Sequence, residues 1–407
     1  MRNGWAELAL GDVFKTVTGG TPPKSNPEYY GSFAPFVKPP ELNNDLVAAA
    51  DDGLSELGVS VARVAPPNSV LVSCIGILGK IGLAARDVAF NQQINAILPN
   101  ETRAIPKFIF YQTLSDGFRE QLAAMASGTT VSIVNKSKFN SIVVVVPPLP
   151  EQRRIVTILD KAFAGLATAT ANAEKNLKNA RDLFESHREA IFFSGAAAWP
   201  ERRLGEMCEI ARGGSPRPIQ KFITSAKDGI NWIKIGDATA SLKYIYKTAE
   251  KIKRAGLSRS RFVKEGDFLL SNSMSFGRPY IMRTTGCVHD GWLVLTDVKG
   301  NFDQDYLYHF LSSRSAYNQF DQFAAGSTVR NLNVDLVKRT KIVVPPLSEQ
   351  RRAAERLERM APRAAQLEQM YRDKLSKIDE LKQAILHKAF SGELTSPPSS
   401  AIKEAAE

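Results

Sequence analysis

Residues 142–154 read Ile-Val-Val-Val-Val-Pro-Pro-Leu-Pro-Glu-Gln-Arg-Arg. Residues 340–352 read Thr-Lys-Ile-Val-Val-Pro-Pro-Leu-Ser-Glu-Gln-Arg-Arg, with nine of thirteen positions identical at an offset of 198. The same offset aligns Ser73 with Ser271, Gly79-Lys80 with Gly277-Arg278, and Gly128-Thr129-Thr130-Val131 with Gly326-Ser327-Thr328-Val329. Nearer the start of each copy the offset is 194: Leu10-Gly11 matches Leu204-Gly205, and Gly19-Gly20-Thr21-Pro22 matches Gly213-Gly214-Ser215-Pro216. So many landmarks in one order make the chain a tandem duplication of about 200 residues. Whatever one copy folds into, the other must fold into as well.

Each copy has the same layout. A mixed segment comes first, with β-rich runs bounded by Gly, Pro and Asn: Val70–Ile75, Ile94–Leu98 and Ile142–Val146, then Phe268–Leu270, Trp292–Leu295 and Ile342–Val344. Helical patterns lie near Pro106–Ser115 and Asp305–Ser313. A Pro-Pro pair stops the last strand, and a long helical segment follows. In the first such segment Leu166, Thr170, Ala173, Leu177, Ala180, Phe184, His187 and Ile191 step by alternating four and three. In the second, Ala364, Leu367, Tyr371, Lys374, Ile378, Leu381 and Ile385 do the same. One narrow apolar stripe per helix suits mutual pairing as a coiled coil, with His187 buried and neutral in the seam. Pro362 predicts a separate short helix over Glu349–Ala361 with a kink after it, and Gly165 marks the equivalent joint. Paired antiparallel, rods of roughly 42 Å would set two domains about one turn of duplex DNA apart.

Composition narrows the function. The chain is 43% hydrophobic and 23% charged, which excludes a disordered chain. No apolar run approaches the roughly 20 residues a bilayer requires. Glu7 and Asp12 stand where a signal peptide would be apolar, so a cytoplasmic protein with no membrane partner is expected. Cys74, Cys208 and Cys287 are far apart, which argues against a zinc site or a disulfide framework. The net charge of +11 favours a polyanionic partner. It is unevenly spread: residues 1–150 are neutral overall, whereas residues 196–346 carry 23 basic and 14 acidic side chains.

These features together resemble the specificity subunit of a type I restriction–modification system. The resemblance is carried by the duplication, the junctions Pro147–Arg154 and Pro345–Arg352, and the Gly19-Gly20-Thr21-Pro22 start. The Gly-Thr-Thr and Gly-Ser-Thr loops, the closing helices and Phe390-Ser391-Gly392-Glu393-Leu394 add to it, so that it covers essentially the whole chain. It implies an α+β fold: two similar α/β target-recognition domains separated by an antiparallel two-helix coiled coil, with internal pseudo-two-fold symmetry. The expected division is a first recognition domain at 1–148, a helical spacer at 149–195, a second recognition domain at 196–346, a second spacer at 347–395 and a flexible tail at 396–407. The resemblance further implies a split double-stranded DNA target, each domain reading one half-site while the coil sets the gap. The implied partners are two N6-adenine methyltransferase subunits and motor-nuclease restriction subunits. S-adenosylmethionine, ATP and Mg would belong to those partners, leaving this chain without a cofactor, a metal or a catalytic residue. One departure is that 40 residues separate Glu151 from Ile191 but only 36 separate Glu349 from Ile385, about one helical turn.

A scan for catalytic signatures agrees with a recognition role. None of Pro22-Pro23, Pro39-Pro40, Pro66-Pro67, Pro147-Pro148, Pro345-Pro346 or Pro397-Pro398 lies in the Asn/Asp/Ser-Pro-Pro-aromatic turn that grips a flipped base in amino-methyltransferases. Gly76-Ile77-Leu78-Gly79-Lys80-Ile81 resembles a phosphate-binding loop but has the wrong spacing and no hydroxyl. A self-contained DNA-processing enzyme with an unrecognised site, a specificity subunit serving an orphan methyltransferase and a protein-binding scaffold are the alternatives.

Polar residues in Gly-rich turns are the candidate DNA contacts. Phosphate contacts set register while base edges carry specificity, with Arg and Lys suited to guanine and Asn and Gln to adenine. In the first copy they are Lys24, Lys38, Lys80, Asn91, Gln92, Gln93, Ser127, Thr129 and Thr130. In the second they are Arg217, Lys221, Lys234, Asn272, Arg278, Asp290, Ser327, Thr328 and Arg330. Lys251, Lys253, Arg254, Arg259 and Arg261 form a basic stretch that is either a phosphate-binding edge or a solvated face. The arginine pairs 153–154 and 351–352 are expected in docking salt bridges.

Overall fold

In a computed structural model, residues 4–128, 130–193, 199–239, 243–272, 276–324 and 331–396 are described. The chain forms two compact units, one of residues 1–174 with 373–407, the other of residues 175–372.

In the first unit the mixed segment supplies two sheets. One has the strand order Thr16–Thr18, Ile94–Ile97, Val70–Ser73, Ile81–Ala84, Asp45–Val47. The other has the order Gly53–Leu54, Tyr30–Val37, Val88–Phe90, Val64–Ala65. A separate pair joins Ala6–Ala9 to Val143–Val146, tying the start of the segment to its exit. The runs Val70–Ser73, Ile81–Ala84 and Ile94–Ile97 are buried at every position. That is why they show no apolar-polar alternation, with Asn95 and Ser73 the buried polar residues among them.

The second unit repeats this plan. Its first sheet has the order Glu209–Arg212, Trp292–Thr296, Phe268–Ser271, Pro279–Met282, Tyr244–Ile245. Its second has the order Ile223–Thr224, Glu250–Ile252, Ile230–Ile233, Gly286–Val288, Arg261–Val263. Glu201–Arg203 pairs with Lys341–Val343 as the tie. The helices Pro106–Thr113 and Gln304–Leu311 fall where the sequence pattern puts them.

The two long helices are Leu149–Phe193 and Leu347–Ser391, each of 45 residues and displaced by the repeat offset of 198. Both run unbroken, so the expected joint at Gly165 and the separate helix over Glu349–Ala361 are corrected: Pro362 lies inside a continuous helix. A proline removes one N–H from the ladder, but packing on both sides of it outweighs that loss. Leu357 is fully buried before it, and Leu386 and Ala389 after it.

Each helix is fixed at its start by the glutamine of the Glu-Gln-Arg-Arg motif. Gln152 is fully buried; it accepts from Ile105 N–H at 2.8 Å and donates to the carbonyls of Pro147 at 2.7 Å and Arg103 at 3.1 Å. Gln350 does the same with Asp303 N–H, Pro345 and Asn301 at 2.8, 2.9 and 3.1 Å. All six partners obey the 198 offset. The glutamine therefore joins strand exit, helix start and the loop before the short helix in one network. The arginines beside it point outward: Arg153, Arg154, Arg351 and Arg352 are exposed. Arg352 pairs with Glu349 of its own helix.

Within the first unit the start of one long helix lies antiparallel to the end of the other. Thr395 bonds to Glu151, the Lys382 ammonium sits 5.2 Å over the Phe163 ring, and Leu166 and Thr170 share a cavity with Leu375 and Ile378. In the second unit Arg181 Nε meets Glu368 Oε2 at 2.8 Å. Leu166, Leu177, Phe184, Leu367, Tyr371, Ile378 and Ile385 are half-buried, and Ile191 is buried. Leu381, by contrast, is 50% exposed, Lys374 is exposed, and so is His187, whose Nδ1 lies 2.9 Å from the Leu183 carbonyl oxygen. Leu375, Lys382 and Arg188 take the inward positions instead. The stripe makes two successive four-residue steps, Leu367–Tyr371–Leu375 and Ala180–Phe184–Arg188, because a helix of 3.6 residues per turn drifts away from a strict 3.5 repeat.

The helix ends are exchanged between the repeats. Phe192, at the end of the first helix, packs edge-on against Tyr306 and Phe310 at 5.2 and 5.7 Å. Phe390, its equivalent in the second helix, packs edge-on against Phe108 at 5.4 Å. Ile191 is thus matched by Ala389 and not by Ile385, and the apparent one-turn discrepancy disappears.

Candidate nucleic-acid interface

Each unit has one loop cluster where its glycine-rich start meets the turn between two central strands. In the first unit Gly19 N–H bonds the Ile94 carbonyl and Gly20 N–H bonds the Phe90 carbonyl, both at 3.0 Å. A Cβ on Gly19 would lie 2.2 Å from the Asn91 carbonyl oxygen, so the loop can approach this closely only as glycine. The second unit repeats the approach: Gly213 bonds Trp292, Gly214 bonds Val288, and a Cβ on Gly213 would lie 2.0 Å from the His289 carbonyl oxygen.

The close approach brings the next residue of the loop onto the turn. Thr21 Oγ1 donates to Gln92 Oε1 at 2.5 Å. Ser215 Oγ donates to Asp290 Oδ1 at 2.8 Å. The hydroxyl of Ser215 holds the Asp290 carboxyl below the usual carboxylate range, with Arg217 adding to the effect. Beside it, burial pushes the His289 imidazole below its ordinary value. Behind the turn Asn91 is buried, its Oδ1 accepting from Gln93 N–H and its Nδ2 donating to Gln93 Oε1 at 2.9 Å. Asn272 is buried too, and its Nδ2 donates to the Asp290 carbonyl at 2.8 Å. Asn91, Gln93 and Asn272 are therefore engaged in shaping the turns, whereas Gln92 and Asp290 face outward.

In the second unit the cluster opens into a groove of about 1430 Å3. It brings together Arg217, Lys234 and Asp290, separated by up to 73 residues in sequence, with Trp232, Ile219 and His289 in its lining. Arg217 reaches Asp290 Oδ2 at 3.2 Å, and Lys234 Nζ reaches Glu250 at 2.5 Å. Lys38 is the counterpart of Lys234. Each backbone N–H bonds a carboxylate three residues on, Glu41 or Asp237. Each ammonium pairs across to a neighbouring acid, Asp52 for Lys38.

The remaining candidates lie apart from these clusters. Lys24 and Lys221 are exposed in the loops that follow the Gly-Gly starts. Lys80 and Arg278 occupy equivalent hairpin turns, and Arg278 stacks 5.3 Å over the Tyr280 ring. Ser127 and Thr130 are exposed beside the Ser127–Ile133 bridge. Thr129, Ser327, Thr328 and Arg330 lie outside the described residues. In the basic stretch Lys253, Arg254, Arg259 and Arg261 are exposed, and Lys251 and Lys253 cap the Lys227 and Lys221 carbonyls. Sequence reading missed the hydroxyl-to-turn pairs, because their partners lie 71 and 75 residues apart. The only advance signal was the doubled Gly-Gly start.

Two further observations bear on the chemistry. Cys74, Cys208 and Cys287 are free and buried, and burial pushes the Cys74 and Cys208 thiols up to about 12. Among the described residues no helix is long and apolar enough to cross a membrane.

The chain as a whole is similar to known proteins. The family model for the type I restriction modification DNA specificity domain matches twice, over residues 2–179 and 197–376. The HindI specificity subunit of Haemophilus influenzae is 31% identical over 188 residues; that match spans 44% of this chain and 40% of the relative. The EcoKI specificity subunit of Escherichia coli K12 is 21% identical over 96% of this chain and 89% of its own length. A solved structure, described as the basis of complex assembly and conformational transition of the type I R-M system, superposes with a TM-score of 0.77. It is 22% identical and covers 97% of this chain and 99% of its own. With two family domains in tandem covering most of its length, the chain belongs to the type I restriction–modification DNA specificity family.

Proposed function

We propose that the chain is the DNA-recognition subunit of a type I restriction–modification complex and directs its partners to a split duplex site. The lobes within 1–148 and 196–346 each read one half-site through the cluster where the Gly-Gly loop meets the strand turn. The helical regions 149–195 and 347–395 fix the gap and dock two methyltransferase subunits, to which motor-nuclease subunits join. The tail expected at 396–407 lies, from 397 on, outside the described residues. The chain itself supplies no catalysis: S-adenosylmethionine, ATP and Mg act in the partner subunits. The observation that carries this reading is the repetition of one hydroxyl-to-turn cluster, Thr21–Gln92 and Ser215–Asp290, on two lobes joined by helices of equal length.

The test uses the full chain co-expressed with its methyltransferase partner, with the methylated adenines of the host genome mapped. A two-part motif with a fixed gap is expected. Adding four residues after Leu177 and four after Met370 should lengthen the tolerated gap while leaving both half-sites unchanged. A continuous motif, or half-sites that change with the insertion, would overturn the reading. Purified chain that methylates or cleaves DNA alone would overturn it as well.

A further inference from the structure

The groove of the second unit contains one acidic residue among those that line it, Asp290. In a lobe with a net excess of nine positive charges, an ionised carboxylate facing outward opposes binding of a polyanion. Its geometry resolves this conflict. Ser215 occupies Oδ1 at 2.8 Å, which fixes the side-chain rotamer and leaves Oδ2 toward the groove. Among the described residues Oδ2 is met by Arg217 alone, whose side chain is 80% exposed. A pair that exposed contributes little and separates easily. On approach of DNA, Arg217 is free to turn to a phosphate and uncover Oδ2.

An uncovered carboxylate oxygen can only accept hydrogen bonds. In the major groove, cytosine N4 and adenine N6 donate, whereas thymine O4 and guanine O6 and N7 only accept. The equivalent side chain in the first unit is Gln92, held by Thr21 at the same atom position. There the atom without a partner among the described residues is Nε2, a donor. The two units thus have the same mount, a hydroxyl on a glycine-backed loop, carrying side chains of opposite hydrogen-bonding sense.

We propose that the residue on this mount reads a base in each half-site, and that Asp290 selects an exocyclic amino group, on cytosine or adenine, at one position of the second half-site. This rests on the DNA-recognition reading above and goes further by naming the reading atom and the chemistry it selects. Ser215 acts as a positioning residue. Removing its hydroxyl frees the carboxylate to rotate without changing its acceptor character.

The experiment is selection from a randomised duplex pool by the full chain, as wild type, Asp290→Asn, Ser215→Ala and Gln92→Glu. Wild type is expected to enrich a split motif with cytosine or adenine at one column of the second half-site. Asp290→Asn should lose that preference by about tenfold at that column alone, the size of one base-edge discrimination. Ser215→Ala should weaken the same column without changing its identity. Gln92→Glu should bring a new cytosine or adenine preference into one column of the first half-site. A motif unchanged in every column by Asp290→Asn, or one weakened uniformly across columns, makes Asp290 a structural residue and overturns the proposal. Absence of any split motif with wild type sinks the recognition reading itself, an outcome distinct from a wild-type motif that the variants fail to alter.

Discussion

In the first unit Gln383 secures the end of the second long helix, donating to the Leu114 carbonyl and accepting from Asp116 N–H. In the second unit the matching position is Glu185, which cannot donate. Arg188 supplies the missing donor, bonding both Glu185 and the Ser312 carbonyl, the equivalent of Leu114. The first unit has Leu386 where Arg188 stands, fully buried in its core. One joint is therefore neutral, while the other holds an ion pair between buried Arg188 and half-buried Glu185, with Arg188 Nε and Glu185 Oε2 lacking partners among the described residues. A second contrast lies further along the same helices. Tyr111 and Lys107 bond Asp160 in the first unit, where His309 and Lys243 bond Glu358 in the second. The duplication kept the positions of Gln383 and Glu185, of Asp160 and Glu358 and of Tyr111 and His309 while letting their chemistry change, whereas the lysines do not correspond: the 198 offset puts Asp305 opposite Lys107 and Asp45 opposite Lys243.

This contrast can be broken at its shared part first. Gln152→Ala and Gln350→Ala each remove the side-chain partner of three backbone groups, one of them in a buried bond, and each should cost roughly 3 kcal/mol. Chemical denaturation followed by a probe in each unit should show equal losses; sensitivity in one unit only would mean the anchors are not equivalent. Next, Arg188→Leu strands Glu185 and the Ser312 carbonyl, and should cost about 2 kcal/mol. The double variant Glu185→Gln with Arg188→Leu rebuilds the neutral joint and should recover more than half of that loss. Additive losses in the double would show that the two residues do not act together.

The smallest effect is in pH. Burial holds His309 below its ordinary imidazole value against the pull of Glu358, with Lys243 and Arg188 adding to the depression. The unfolded chain therefore takes up a proton near pH 6.5 that the folded unit resists, so stability falls as the pH drops below that value. His309→Tyr, the residue type at position 111, should lessen this fall. Thermal midpoints at pH 8 and pH 5.5 measure it, and identical drops for both proteins would reject the assignment.

The repeat, the strand runs and the helix starts were legible because they depend on local patterns duplicated at one offset. The helix stripe was legible only in part. A strict alternation of four and three places Leu381 inside and Lys382 outside, whereas the lysine lies against Phe163, its stem buried and its charge over the ring. The break at Pro362 was misread because its local cost was weighed without the packing that lies beyond it. Of the candidate contacts, Gln92 and Asp290 could not be told from Asn91 and Asn272 in sequence. What separates these outward side chains from inward struts is the glycine loop folded onto the turn, a meeting set by strand pairing and not by neighbouring residues.

The exchange of helix ends has a consequence for synthesis. Leu386 and Ala389 are fully buried in a core formed mainly by residues 10–159. A ribosome that has finished the first lobe has not yet made the residues that close it. Loss of the last helical turns should therefore loosen the opening half of the protein and spare the half that directly precedes them.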